Sequence, residues 1–130
     1  MIDNNPKPMP ILTVEIVLLP TEKISEDFAK QLAQRAGKIL ASRAGGTWVK
    51  VYPLPAVYYA ENGDVETAVY PIFVSILTAS LPNKVTMARQ VGELTTAVAQ
   101  LSSRPPENVH IIYLPEGNGL VAFGGTIVGR

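Results

Sequence analysis

A chain of 130 residues is long enough for one domain with a real core, and its eleven basic and eleven acidic residues cancel. Without net charge or a cluster of Lys or Arg it lacks the electrostatic footprint of a nucleic-acid binder; without cysteine it has no disulfide, thiolate nucleophile or Cys-ligated zinc, and its one histidine is too few for most metal sites. No apolar run reaches membrane-spanning length and the first nine residues have no signal-peptide pattern, so a soluble cytoplasmic protein without membrane or nucleic-acid partners is expected.

Residues 1–9 are polar and proline-rich and read as a loose extension, leaving residues 10–130 as one domain. Residues 10–20 are apolar, β-branched and bordered by Pro10 and Pro20, which predicts a mostly buried strand, because proline is tolerated at strand ends. Ser25 is placed to cap a first helix, with Glu26 and Asp27 where the helix dipole favours negative charge. Phe28, Leu32, Ala36, Ile39 and Leu40 recur at helical spacing, and Gly45-Gly46 is expected to stop that helix near Arg43. Residues 47–54 alternate as a strand, with Trp48, Lys50 and Tyr52 on one face and Val49 and Val51 on the other. The Asn62-Gly63 pair between Tyr58-Tyr59 and residues 65–70 predicts a hairpin leading to a third strand at residues 71–77. Asn83 then caps a second helix whose apolar stripe is Met87, Val91, Leu94, Val98 and Leu101, and Arg104-Pro105-Pro106 ends it. Residues 109–114 form a fourth strand, and residues 120–123 and 126–128 short strand pieces around Gly124-Gly125.

The order is strand, helix, strand, twice. Residues 48–55 lie over residues 108–115, with Lys50 matching His110 and Pro55 matching Pro115 at an offset of sixty, while Pro10 and Pro71 differ by sixty-one. Each half is expected to be a right-handed β-α-β crossover with parallel strands. The predicted fold is therefore α+β, a duplicated β-α-β unit forming a four-stranded sheet with two helices on one face, plus short C-terminal strand pieces. The bare face calls for cover by another subunit.

Several short runs point to one family. Pro105-Pro106-Glu107-Asn108-Val109-His110-Ile111-Ile112-Tyr113 resembles the Ser-Pro-Asp-Arg-Val-Tyr-Ile-Asn-Tyr run of macrophage migration inhibitory factors. Val121-Ala122-Phe123-Gly124-Gly125 resembles the tail shared with the 4-oxalocrotonate tautomerases, and Gln31-Leu32-Ala33-Gln34 and Gly37-Lys38 resemble the inhibitory-factor helix. On their order, the duplication and the opening Pro-Ile strand, the chain resembles the tautomerase superfamily from Pro10 to Val128.

The resemblance implies a homotrimer, with each sheet facing the inside of a barrel and residues from Leu120 onward adding strands to a neighbour. It also implies a pocket in which an N-terminal proline, as a free secondary amine of lowered pKa, moves a proton between the carbons of a keto–enol pair. That proline falls on Pro10, which nine residues precede, so its nitrogen is a tertiary amide with no usable lone pair unless the chain is processed. Lys50 falls where short tautomerases place a carboxylate-binding arginine, and Lys38 resembles the lysine of the inhibitory-factor pocket. His110 stands for a pocket tyrosine with an acid role, Ile112 for an asparagine and Phe123 for an aromatic at the pocket mouth. Pro10, Lys50 and His110 are expected close together in the trimer, with Lys50 open to contribution from a neighbour.

Each residue also has a plainer reading. Pro10 is a strand-entry proline, Lys50 a solvated or interface lysine, His110 an interface histidine, and Lys38 a cation at a helix C-terminus. Two functions therefore stand. One is a tautomerase or isomerase acting on small carboxylate-bearing compounds when Pro10 is exposed, or a related hydratase or decarboxylase. The other is a non-catalytic trimeric binding or interaction module.

Overall fold

The computed structural model describes residues 9–63 and 70–129. Strand β1 (Ile11–Leu18) lies at the centre of the sheet, flanked by β2 (Trp48–Pro55) and β3 (Ile72–Leu77), with β4 (Val109–Tyr113) outside β3. β1 runs parallel to β2 and β3 parallel to β4, while the two halves meet antiparallel, Val14 opposite Val74. The sequence expectation of a duplicated β-α-β unit is met.

The register fixes how the halves superpose. Leu12 pairs with Val49 and Ile72 with Val109, so the same loop of chain separates each pair of partners. Leu12, Val14 and Ile16 are buried, as are Ile72, Val74 and Ile76, which sets the offset at sixty in every strand. The matching of Pro10 with Pro71 is therefore one residue out, and Tyr70 is the counterpart of Pro10. A one-residue slip exchanges the faces of a strand, so the shared Pro-Ile pair points opposite ways in the two halves.

Helix α1 (Phe28–Ile39) buries Phe28, Leu32 and Ala36, as its spacing predicts. Its ends differ from expectation. The N-cap is Asp27, with no side-chain bond to a helix N–H, and Ser25 instead donates its hydroxyl hydrogen to the Asp27 carboxylate. Asp27 also accepts from the Gln31 side chain, and these two bonds hold its pKa below the ordinary carboxylate value. The C-terminus comes before Gly45-Gly46. Ala41 takes a left-handed backbone with φ 54°, its N–H donates to Lys38 O at 3.2 Å, and Ser42 N–H donates to Gly37 O at 2.9 Å. That is a Schellman closure, with alanine where glycine is usual.

Helix α2 (Lys84–Ser102) is capped as predicted, Asn83 Oδ1 accepting from Thr86 N–H at 2.8 Å. Its buried arc is rotated from the expected stripe. Leu94 and Val98 are at its centre, but Gln90 and Ala97 are also buried, while Met87, Val91 and Leu101 are only half-buried. The helix packs on the sheet and beside α1, where Arg35 donates to Gln100 at 2.9 Å, so two contact surfaces displace the simple stripe. It closes like α1, with Ser103 left-handed at φ 58° and Arg104 N–H donating to Ala99 O at 3.1 Å.

Of the expected hairpin, Tyr58 ends a 3₁₀ turn over residues 56–58, Asn62-Gly63 form a bend, and residues 65–69 of the second arm lie outside the described residues. The C-terminal pieces are β5 (Ala122–Phe123) and β6 (Thr126–Ile127), paired antiparallel with each other across Gly124-Gly125. The core lies between the helices and one sheet face. On the open face are Thr13 and Glu15, flanked by Trp48, Lys50 and Tyr52 of β2 and by His110 and Ile112 of β4. Trp48, Tyr52 and Ile112 are each about half exposed there. Among the described residues no helix is long and apolar enough to cross a membrane.

Candidate functional site

Strand alternation decides where Pro10 looks. It lies two residues before buried Leu12, so it faces the helix layer rather than the open face. There it is buried and lines a cavity of about 310 Å³. The cavity is walled by Leu40 just past α1, by Gln90 of α2, and by Thr78, Ala79, Ser80 and Pro82 from the β3–α2 connection. Met9 completes the wall, so the carbonyl carbon that acylates Pro10 lies at the site itself. The Met9 methyl rests against Gly117, where a Cβ would stand 3.0 Å from it and 3.0 and 3.1 Å from Val121 and Leu77, so a side chain there would press on all three. The Gly117 N–H is anchored on Thr78 O at 2.8 Å, which ties the turn to the cavity wall.

None of the eight lining side chains is charged. Thr78 spends its hydroxyl hydrogen on Ser80 O at 2.9 Å. Gln90 is the most informative wall residue, buried on the apolar face of α2, with its Oε1 accepting the Tyr113 hydroxyl of β4. Burial pushes the Tyr113 hydroxyl pKa up, against a smaller lowering by the Arg89 cation, so it remains a donor beyond the ordinary tyrosine range. Neither Gln90 nor Tyr113 was singled out from sequence as a site residue. A signal was available: Gln90 lies four residues before Leu94, a polar residue on the buried side of the helix.

The other expected residues do not join Pro10 within one chain. Lys50 and His110 are on the open face, on the two outer strands, about 14 Å apart across the sheet and two residues apart along it, or about 16 Å in all. Lys50 lies over the Tyr52 ring at 5.9 Å, and His110 packs on Phe73 with ring centroids 5.4 Å apart. Ile112 is in the same cross-strand row as Lys50, through Thr13 and Ser75. Lys38 is outside the Pro10 cavity and instead lines two grooves along α1, of about 350 and 610 Å³. Two residues along a helix turn the side chain by about 200°, so with Leu40 facing the cavity Lys38 is carried away from it. Phe123 does share the Pro10 end of the sheet. It packs edge-on against the Trp48 ring at 5.4 Å, and the backbone N–H of Trp48 donates to Pro10 O at 3.0 Å.

No protein-family model matches the sequence, and no curated protein does. Solved structures do match. An asymmetric trimer of fused 4-OT superposes with a TM-score of 0.74 at 15% identity, covering 90% of this chain and 94% of that one. The fold is that of the tautomerases. The macrophage migration inhibitory factor of Oncomelania hupensis shares it with a TM-score of 0.71 at 16% identity, over 92% of this chain and 81% of that one. A malonate semialdehyde decarboxylase inhibited by 3-bromopropiolate shares it with a TM-score of 0.67 at 12% identity, over 88% of each chain. The resemblance read from short motifs is thus a resemblance of the whole tautomerase fold, and Pro10 enters that fold at the first strand.

Proposed function

We propose that this protein is a homotrimeric small-molecule-binding protein whose keto–enol chemistry is masked by acylation of Pro10. The observation that carries this reading is the position of Pro10 in the wall of an uncharged cavity, with Met9 joined to its nitrogen. A tertiary amide accepts no proton at neutral pH. The same nitrogen as a free secondary amine would be partly desolvated in this cavity, which disfavours its ammonium form and makes it a base near neutrality. In the chain as it stands, binding without turnover is the function; in a chain beginning at Pro10, tautomerisation of small carboxylate-bearing compounds is.

The trimer has two supports: the half-exposed Trp48, Tyr52 and Ile112 on the uncovered sheet face, and the trimeric assembly of the fused 4-OT neighbours. In such an assembly Lys50, His110 and Ile112 belong to the surface that meets a neighbour. We assign them to the mouth of the neighbouring subunit's cavity, with Lys50 as the cation for a ligand carboxylate and His110 as the acid. Phe123 would close that mouth.

The test is a chain starting Met-Pro10, from which methionine removal leaves Pro10 as the terminal amine. It is expected to ketonise phenylenolpyruvate about a hundredfold or more faster than the full chain, and Pro10→Ala should abolish most of the gain. Equal background rates for a folded truncation and the full chain would reject the masked-tautomerase reading and leave the binding module. A monomeric mass by light scattering at micromolar concentration would reject the trimer.

A further inference from the structure

The Pro10 cavity has a polar group that the proton-transfer chemistry does not use. Gln90 is 8% exposed, and its Oε1 is taken by the Tyr113 hydroxyl. No hydrogen bond among the described residues takes up its Nε2, yet no buried side-chain nitrogen or oxygen among them lacks a partner. Among the described residues these conditions fit an Nε2 that borders open space, and the space that Gln90 lines is the Pro10 cavity. With the Tyr113 hydroxyl donating to Oε1, the end of the amide left for the cavity is Nε2 with its N–H donors.

We propose that Gln90 is the specificity-determining residue of this cavity and donates to the carbonyl oxygen of an uncharged part of the ligand, with Tyr113 as its positioning residue. A carboxylate is not the group this wall selects. None of the described lining side chains is cationic, and an anion moved among them loses its hydration without a counter-charge. A carbonyl oxygen loses little hydration and gains a preorganised donor. A ligand with both groups would place its ketone or amide against Gln90 and turn its carboxylate to the mouth. This inference rests on the cavity being a ligand site, as proposed above, but not on Pro10 acting as a base.

The experiment measures binding of phenylacetone and of propylbenzene, its analogue lacking the oxygen, to the full chain and its variants by NMR titration. Gln90→Leu should weaken phenylacetone by about five- to tenfold and leave propylbenzene unchanged or tighter. Gln90→Met keeps the length of the side chain without its donors and without a charge, so it should also weaken only the ketone and guards against a packing defect in the leucine variant. Tyr113→Phe should lower ketone binding by a smaller factor, about two- to threefold, with propylbenzene again unaffected. Equal losses for both ligands, or none for the ketone in both Gln90 variants, would overturn the role of Gln90 while leaving the cavity as a binding site. Absence of binding by either ligand to the unmodified chain at millimolar concentration would overturn the site and the inference together.

Discussion

The Pro10 cavity has a counterpart at the other end of the sheet, a hollow of about 410 Å³ beside Tyr70. Leu19 and Glu22 in its wall precede Ala79 and Pro82 of the first cavity by sixty residues, and Tyr70 follows Pro10 by the same interval. The backbone has made one hollow twice, and the side chains have used it in opposite ways. At the Tyr70 end the Schellman closure of α2 turns Arg104 inward, where its guanidinium donates to Tyr70 O and to Glu22 and is nearly buried. At the Pro10 end the matching closure of α1 turns in no such cation, and the described residues of the wall are neutral. The duplicated fold therefore supplies two places for a site, and the residue just past each helix decides which is filled by the chain's own charge.

The strongest way to break that contrast is Arg104→Ala. It leaves Glu22 and Tyr70 O without their buried partner and should cost about 3 kcal/mol in urea unfolding. A loss below about 1 kcal/mol would mean that the ion pair is a solvated surface contact and that the two ends are not distinguished as described. The helix starts offer a smaller contrast. Asn83→Ala removes a side-chain cap and should cost about 1 kcal/mol, whereas Ser25→Ala should cost less than half of that, because Ser25 bonds Asp27 and caps no helix N–H by its side chain. Equal losses would restore Ser25 as the cap.

Smaller again is Ala41→Gly, which relieves a left-handed alanine at the C-terminus of α1 and should stabilise the chain by about 0.5 kcal/mol, net of the extra freedom glycine gives the unfolded state. The subtlest change is in alkali. Burial raises the Tyr113 pKa in the folded chain, so the stability associated with its neutral hydroxyl is full below the ordinary tyrosine value and is lost as pH rises from there through the raised one. Urea midpoints measured from about pH 9 to 11 should fall less steeply for Tyr113→Phe than for the unmodified chain. An unchanged slope would place that titration elsewhere.

The periodic parts of the fold were legible because one periodicity dominated each. Leu12, Val14 and Ile16 alternate against a single helix layer, and Phe28, Leu32 and Ala36 repeat on a helix with one buried side. Legibility failed where two influences compete. Gly45-Gly46 reads as a helix stop, yet the chain closed its turn earlier at Ala41, where packing of Leu40 against the Pro10 cavity accompanies an unfavourable backbone. The α2 stripe is displaced from Met87 because pattern favours apolar residues, whereas the buried position goes to Gln90, whose amide oxygen accepts from a tyrosine twenty-three residues away.

By itself the sequence determined the class of fold, the repetition of its halves and the presence of a proline at the head of the first strand, since these follow from local spacing and from proline's missing N–H. It also determined that Pro10 carries no free amine in the full chain, which is covalent chemistry. Tertiary structure decided that Pro10 and Lys50 look out of opposite faces, that Lys38 turns away while Leu40 turns in, and that Gln90 is buried in the wall of the Pro10 cavity. Those outcomes depend on register and on contacts between distant segments: one residue of slip in a strand, or about 200° around a helix, sends the same side chain to the other side of the molecule.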